Sequence, residues 1–193
     1  MSYLDKTIYF GKYQNEDLEW IVLEKQDSKA LLLTKNIIDS KRFSENDSYY
    51  DTSTIRMWLN NEFYNISFDD IEKNLILDVI NDNIVKNVYN CPVIIDKIFL
   101  LSLNQIERYF PNNSDRIAFG TSYAKSNGLL SNKDKNSSMW WLRSNILNDD
   151  MDVYVIDFDG LVYDQNRWYQ DIGVRCACWI DLNKYKNTKE MNN

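Results

Sequence analysis

Apolar and polar positions along the chain switch between strand and helix periods. At the start, Thr7-Ile8-Tyr9-Phe10-Gly11, Leu18-Glu19-Trp20-Ile21-Val22-Leu23 and Ala30-Leu31-Leu32-Leu33-Thr34 are apolar-rich runs of strand length. Polar turns at residues 14–17 and 25–28 separate them, the pattern of an antiparallel meander. Next, Ile55, Leu59 and Phe63 recur at i, i+4 and i+8 with Trp58 and Glu62 beside them, which predicts a helix beginning near Thr52-Ser53-Thr54. Ser67-Phe68-Asp69-Asp70 reads as a capping box for a second short helix. Ser102-Leu103-Asn104-Gln105 reads as another, opening a helix that carries Ile106, Tyr109 and Phe110. Residues 78–95, rich in Asn and Asp, read as a loop or small insertion, and Asp96-Lys97-Ile98-Phe99-Leu100-Leu101 as a strand. Residues 111–138 read as surface loops with a short helix. Strand periods then return at Met139-Trp140-Trp141-Leu142-Arg143 and over residues 152–158, where Val153, Val155 and Asp157 alternate with Tyr154, Ile156 and Phe158. Asp159-Gly160 is a tight hairpin signal leading into Leu161-Val162-Tyr163, and residues 173–180 form the last strand. The pattern predicts an α+β fold of antiparallel sheets with two or three packed helices. No linker or repeat divides it, so residues 1–182 are expected to form a single domain, with 183–193 as a polar, frayed tail.

Composition narrows the chemistry. A chain of 193 residues fits one domain and buries roughly 70% of its unfolded surface, so it needs no disulfide or metal for stability. The absence of histidine removes Ser-His, Cys-His and His-zinc chemistry. A net charge of -7 argues against nucleic-acid or anionic-membrane surfaces, which need clustered Lys and Arg. The first residues carry no basic and apolar leader, and no apolar run is long enough to span a bilayer, so the cytoplasm is the expected location. Cys91, Cys176 and Cys178 are odd in number, and two of them are only two apart, which is not a disulfide framework.

Several short motifs occur in a telling order. They are Phe10-Gly11-Lys12-Tyr13, Glu19-Trp20-Ile21-Val22-Leu23, Leu31-Leu32-Leu33, Ile55-Arg56-Met57-Trp58-Leu59-Asn60, Asp96-Lys97-Ile98-Phe99-Leu100-Leu101-Ser102, Trp140-Trp141-Leu142-Arg143-Ser144 and Gly173-Val174-Arg175. The series resembles a bacterial family known as domain of unknown function 6273, from about residue 7 to residue 182. A chain rich in Asn, Lys and Ile suits an AT-rich bacterial genome. More distantly, the Trp-Leu-Arg strand, the Gly-turn hairpin and the terminal Gly-Val-Arg strand resemble the C-type-lectin-like fold of formylglycine-generating enzymes and retroelement-diversified variable proteins. The resemblance implies a fold more than a reaction. One departure is that Cys176-Ala177-Cys178-Trp179 stands where the family usually continues Pro-Ala-Leu-Trp, which restores a backbone donor to the strand.

Four groups of residues are candidates for function. Formylglycine-generating enzymes hold copper(I) with a cysteine pair, but the position of Cys176 and Cys178 does not match theirs, and buried packing is the preferred reading. Asp149, Asp150, Asp152, Asp157 and Asp159 cluster at a hairpin without an EF-hand or lectin-type calcium motif, so they read as solvated turn residues. Arg56, Arg143 and Arg175 read as partly buried ion-pair partners, for example of Glu19, Glu62 or Asp96, in preference to anion-gripping residues. Trp20, Trp58, Trp141 and Trp179 lie in apolar periods and read as core. Residues 163–171 differ, because rings stand there among polar groups. Tyr163, Arg167, Trp168 and Tyr169 would anchor a glycan or protein ligand, and Asp164, Asn166 and Asp171 would supply polar contacts. An aromatic-loop binding module without catalysis or cofactor is the leading expectation. A metal-using oxidase or a hydrolase is the first rival, and a structural or oligomer-forming domain the second.

Overall fold

The structure is a computed structural model, and it describes residues 7–81 and 94–191. The chain opens with strands β1 (Thr7–Tyr13), β2 (Glu16–Gln26), β3 (Lys29–Thr34) and β4 (Asp39–Ser40). After a 3₁₀ turn at Tyr50–Thr52, helix α1 (Thr54–Trp58) passes through a π turn at Leu59–Phe63 into α2 (Tyr64–Ser67), followed by α3 (Asp70–Lys73). Then come β5 (Val79–Asn81), β6 (Ile94–Asp96), β7 (Phe99–Leu100) and helices α4 (Leu103–Tyr109), α5 (Asn113–Arg116) and α6 (Ser122–Ser126). The last third holds β8 (Trp140–Asn145), β9 (Asp152–Ile156), β10 (Val162–Asn166), β11 (Gly173–Val174), β12 (Cys176–Asp181) and helix α7 (Leu182–Met191).

These strands form two five-stranded sheets, in the orders β1-β2-β3-β12-β7 and β10-β9-β8-β11-β4, and a two-stranded β5-β6 pair. Pairing is antiparallel except between β8 and β11, where Gly173 meets Trp140 in parallel. The fold is therefore mixed α+β, as expected. Leu31, Leu32 and Leu33 are buried on both faces of β3, and side chains of both large sheets join one contiguous core that includes Trp20, Phe99, Trp140 and Trp141. A continuous apolar run is what a strand covered on both sides requires.

The last predicted strand is two strands. Gly173 and Val174 pair with β4 and β8 in one sheet, while Cys176 to Asp181 pair with β3 and β7 in the other. Arg175 stands at the hand-over, between the two sheets. Its Nε donates to the Thr34 carbonyl at 2.9 Å, and its guanidinium lies 5.0 Å from the Trp140 ring centre. The hairpin from β9 to β10 turns at Gly160 with φ +81°, and a Cβ there would lie 1.8 Å from the Asn113 carbonyl oxygen, so only glycine fits. Asp157 secures the same turn by accepting from the Asp159 and Leu161 amides.

Several sequence expectations shift. The capping box before α3 is built by Asp69 and Glu72, two residues beyond Ser67, because Asp69 accepts from the Glu72 amide while Glu72 reaches back. The box at Ser102 and Gln105 forms as read. The stretch after Asp181 is helical where fraying was expected, since Asp181 accepts from the amides of Asn183 and Lys184 and so starts the first turn. Of the 78–95 loop, Val79–Asn81 and Ile94–Asp96 pair as strands. Cys91 and the rest of that stretch, residues 82–93, lie outside the described residues.

Candidate functional site

Strand β4 is short, and the chain leaves it at Lys41, whose amide donates to the Ile172 carbonyl at 3.1 Å. This places Asp39, Ser40, Lys41 and Arg42 beside the loop that follows β10. The side chain of Asp39 is fully buried. One oxygen accepts from the Ser40 amide (2.8 Å) and Asn127 Nδ2 (2.7 Å). The other accepts from the Tyr13 hydroxyl (2.7 Å) and faces Lys41 Nζ at 3.3 Å. Burial, and then the hydrogen bond to Asp39, push the Tyr13 phenol far above its ordinary value, so the phenol is the donor in that pair.

Lys41 Nζ also sits 4.5 Å from the centre of the Trp58 ring, within cation–π range. Trp58 is locked from behind by edge-on contact with Tyr13 (6.0 Å, 79°) and by Phe63 at 5.2 Å. Its indole nitrogen is buried without an acceptor among the described residues. Together Ser40, Lys41, Arg42, Glu45, Thr54, Trp58, Asn127 and Gln170 line an open cleft of about 430 Å³. Arg42 links the cleft to the aromatic loop: it pairs with Glu45 at 3.3 Å, and its guanidinium carbon lies 5.9 Å from the Trp168 ring centre.

The seven residues singled out from the sequence divide. Tyr163, Trp168 and Tyr169 are 56%, 43% and 51% exposed. However, residues 163–166 belong to β10, not to a loop, because they pair with β9 across the Gly160 hairpin. Alternation then sends Tyr163 to the Val155 face and Asp164 and Asn166 to the opposite face, so these three cannot share one surface. Arg167 is buried. Its Nε donates to the Asp150 carbonyl (3.0 Å) and its Nη1 to the Ser44 carbonyl (3.2 Å), and its guanidinium carbon lies 4.5 Å from the Trp168 ring centre. It therefore clamps two loops and supports the indole. Asn166 shapes the turn by accepting from the Trp168 amide at 3.1 Å. The Asp171 carbonyl accepts from the Leu130 amide at 2.9 Å. What this region presents beside the cleft is Trp168, with Gln170 on the cleft wall.

Sequence reasoning missed Lys41, Arg42 and Asn127 and assigned Trp58 to the core. The signal available was the polar interruption Asp39-Ser40-Lys41-Arg42 between the apolar pair Ile37-Ile38 and Phe43. Trp58 and Trp179 are only partly buried, whereas Trp20 and Trp141 are core. Arg56 does pair with Asp96, at 2.7 Å. Arg175 has no carboxylate partner among the described residues, and burial lowers its pKa to about 9. Cys176 and Cys178 are fully buried, which raises both thiols and keeps them protonated. Asp149 accepts from the Met151 and Asp152 amides, so it and Asp157 act as turn formers. Among the described residues, no three His, Cys, Asp or Glu side chains gather as a metal site would need. No described helix is long and apolar enough to cross a membrane.

No curated protein and no solved structure is significantly similar to the chain. A family model described as "Domain of unknown function (DUF6273)" matches residues 27–182, which leaves β1 and β2 outside the match, and the chain belongs to that family.

Proposed function

We propose that the protein is a non-catalytic binding domain that holds a glycan against Trp168 and in the adjoining cleft. The carrying observation is the half-exposed Trp168 indole, backed by the Arg167 guanidinium and joined by Arg42 to a cleft walled by Trp58. Sugar rings pair apolar faces with rings of hydroxyls. An indole face fixed by its neighbours, linked through Arg42 to a cleft that carries Ser40, Thr54, Asn127 and Gln170, offers both complements. The anchors are thereby narrowed from the wider set of residues 163–171 to Trp168, the cleft side chains, and Tyr169 as an outer contact.

The C-type-lectin-like architecture belongs to the same proposal. Its support is that β8, the β9–β10 hairpin and the Gly173 strand lie in one sheet, the three motifs that carry the resemblance. The test is calorimetric titration with neutral gluco-, manno- and N-acetylglucosamine oligosaccharides, repeated with Trp168→Ala. Binding by the wild type that falls at least tenfold in the variant, with an unchanged thermal melt, is the expected result. Equal binding by both proteins would overturn the reading. A shift to smaller size on gel filtration of the variant would favour an oligomer contact instead.

A further inference from the structure

We propose that the cleft beside Trp168 is a carboxylate seat, so that the glycan it takes is an acidic one built from uronic-acid units. This rests on the glycan reading above and names its ligand class. The chain carries a net charge of -7, yet two adjacent cations, Lys41 and Arg42, line one cleft with side chains only 29% and 32% exposed. Each cation is shared with one carboxylate, Lys41 with Asp39 behind the wall and Arg42 with Glu45 on the rim, so the cleft offers an anion two exchangeable donors side by side.

The donors are held ready. Lys41 has three ammonium hydrogens, and Asp39 is its one carboxylate partner among the described residues. Asp39 is behind the wall, and its two oxygens already accept from Tyr13, Ser40 and Asn127, so it does not depend on Lys41 alone for its hydrogen bonds. The Trp58 face fixes the ammonium from another side. Arg42 uses one nitrogen on Glu45, which is 58% exposed. An exposed, single-nitrogen pair of this kind contributes little, so a carboxylate that takes the guanidinium fork two-handed can displace Glu45 from it. Because Arg42 also approaches Trp168, one uronate unit can place its carboxylate on Lys41 and Arg42 while a neighbouring ring lies on the indole.

The test compares oligomers of galacturonate, glucuronate and mannuronate with their methyl esters, which keep each sugar and remove its charge. At low salt at least one acid oligomer is expected to bind ten or more times tighter than its ester. Lys41→Met and Arg42→Gln should each erase most of that ratio, and added salt should shrink it. If Lys41→Met melts early, Arg42→Gln alone decides, since that side chain is on the rim. Equal binding of acid and ester would overturn the carboxylate seat and leave the glycan reading standing. No binding of acid, ester or neutral oligosaccharide would overturn both. Inorganic phosphate displacing the oligomer with no effect of Trp168→Ala would show an anion seat without a sugar site, and that too would overturn the proposal.

Discussion

Asp96 and Asp39 are both shielded from water, and each gathers a cation and an amide side chain. Around Asp96 the circle is closed. Arg56 Nε donates to it at 2.7 Å, and Asn81 Nδ2 donates at 2.9 Å. The other two guanidinium nitrogens of Arg56 are held by the carbonyls of Asp51 and Ile95. Asn60 ties the same group to the Lys97 amide and the Ile98 carbonyl. Around Asp39 three donors are equally settled, but the cation is not: Lys41 leans on a ring and opens on a cleft. The difference teaches how similar chemistry serves two ends. A buried carboxylate whose cation is wholly used by the protein fixes helix to strand. One whose cation keeps a solvent-facing side leaves that cation on the wall of a cleft.

The sharpest way to break this comparison is to delete each carboxylate. Asp96→Ala leaves the Arg56 guanidinium without its counter-charge in a closed setting, and a stability loss of about 3–5 kcal/mol is expected. Asp39→Ala leaves Tyr13 and Asn127 without an acceptor, but Lys41 can turn to water, so about 1–3 kcal/mol is expected. Urea unfolding of both variants measures the order. A larger loss for Asp39→Ala would erase the distinction between closed and open.

Alkaline unfolding sharpens it next, because each cluster has its tyrosine. Tyr13 donates to Asp39, and Tyr50 lies buried within reach of the Asp96 charge. Both phenols are pushed well above the ordinary value, chiefly by burial, and then by Asp39 and Asp96 respectively. The unfolded chain ionises these groups above about pH 10, while the folded protein keeps the protons. The native state then binds more protons, and stability falls as pH rises, by up to about 1.4 kcal/mol per pH unit for each tyrosine. Below about pH 9 neither contributes a slope. Tyr13→Phe and Tyr50→Phe should each make the decline between pH 10 and 12 shallower. A slope unchanged in both would mean that neither phenol is protected.

Much of this frame was legible in the sequence, and the reasons for what was not are specific. The run Ala30 to Leu33 was readable as a strand between polar turns, and the i+4 ladder of Ile55, Leu59 and Phe63 as a helix face. The division of residues 173–180 between two sheets was hidden, because a strand that changes partners keeps the same apolar alternation. Arg175 at that division was expected to find a carboxylate. It finds a backbone carbonyl and the faces of Trp140 and Phe110, which no pattern of charges along the chain announces. Trp168 was readable as a ring in polar company. Its partner cleft was not, since Lys41 and Trp58 meet across a sequence gap that tertiary contacts close, among them the Ile55 amide donating to the Phe43 carbonyl.

The smallest expected effect tests the open cluster directly. Lys41→Met keeps a hydrocarbon stem against the Trp58 ring and removes only the ammonium. Asp39 then retains the Tyr13, Ser40 and Asn127 donors, and water can enter from the cleft to replace the fourth. The contact is long, at 3.3 Å, and three other donors stay on the buried Asp39, so its loss should change unfolding stability by about 1 kcal/mol, well short of the cost of breaking a short buried pair. Arg56→Met is the control, because it strips a buried carboxylate of a cation held at 2.7 Å and itself anchored on the Asp51 and Ile95 carbonyls, and about 3–5 kcal/mol should be lost. If Lys41→Met destabilised the protein as much as Arg56→Met, Lys41 would be a structural cation like its counterpart, with no donor free for a ligand.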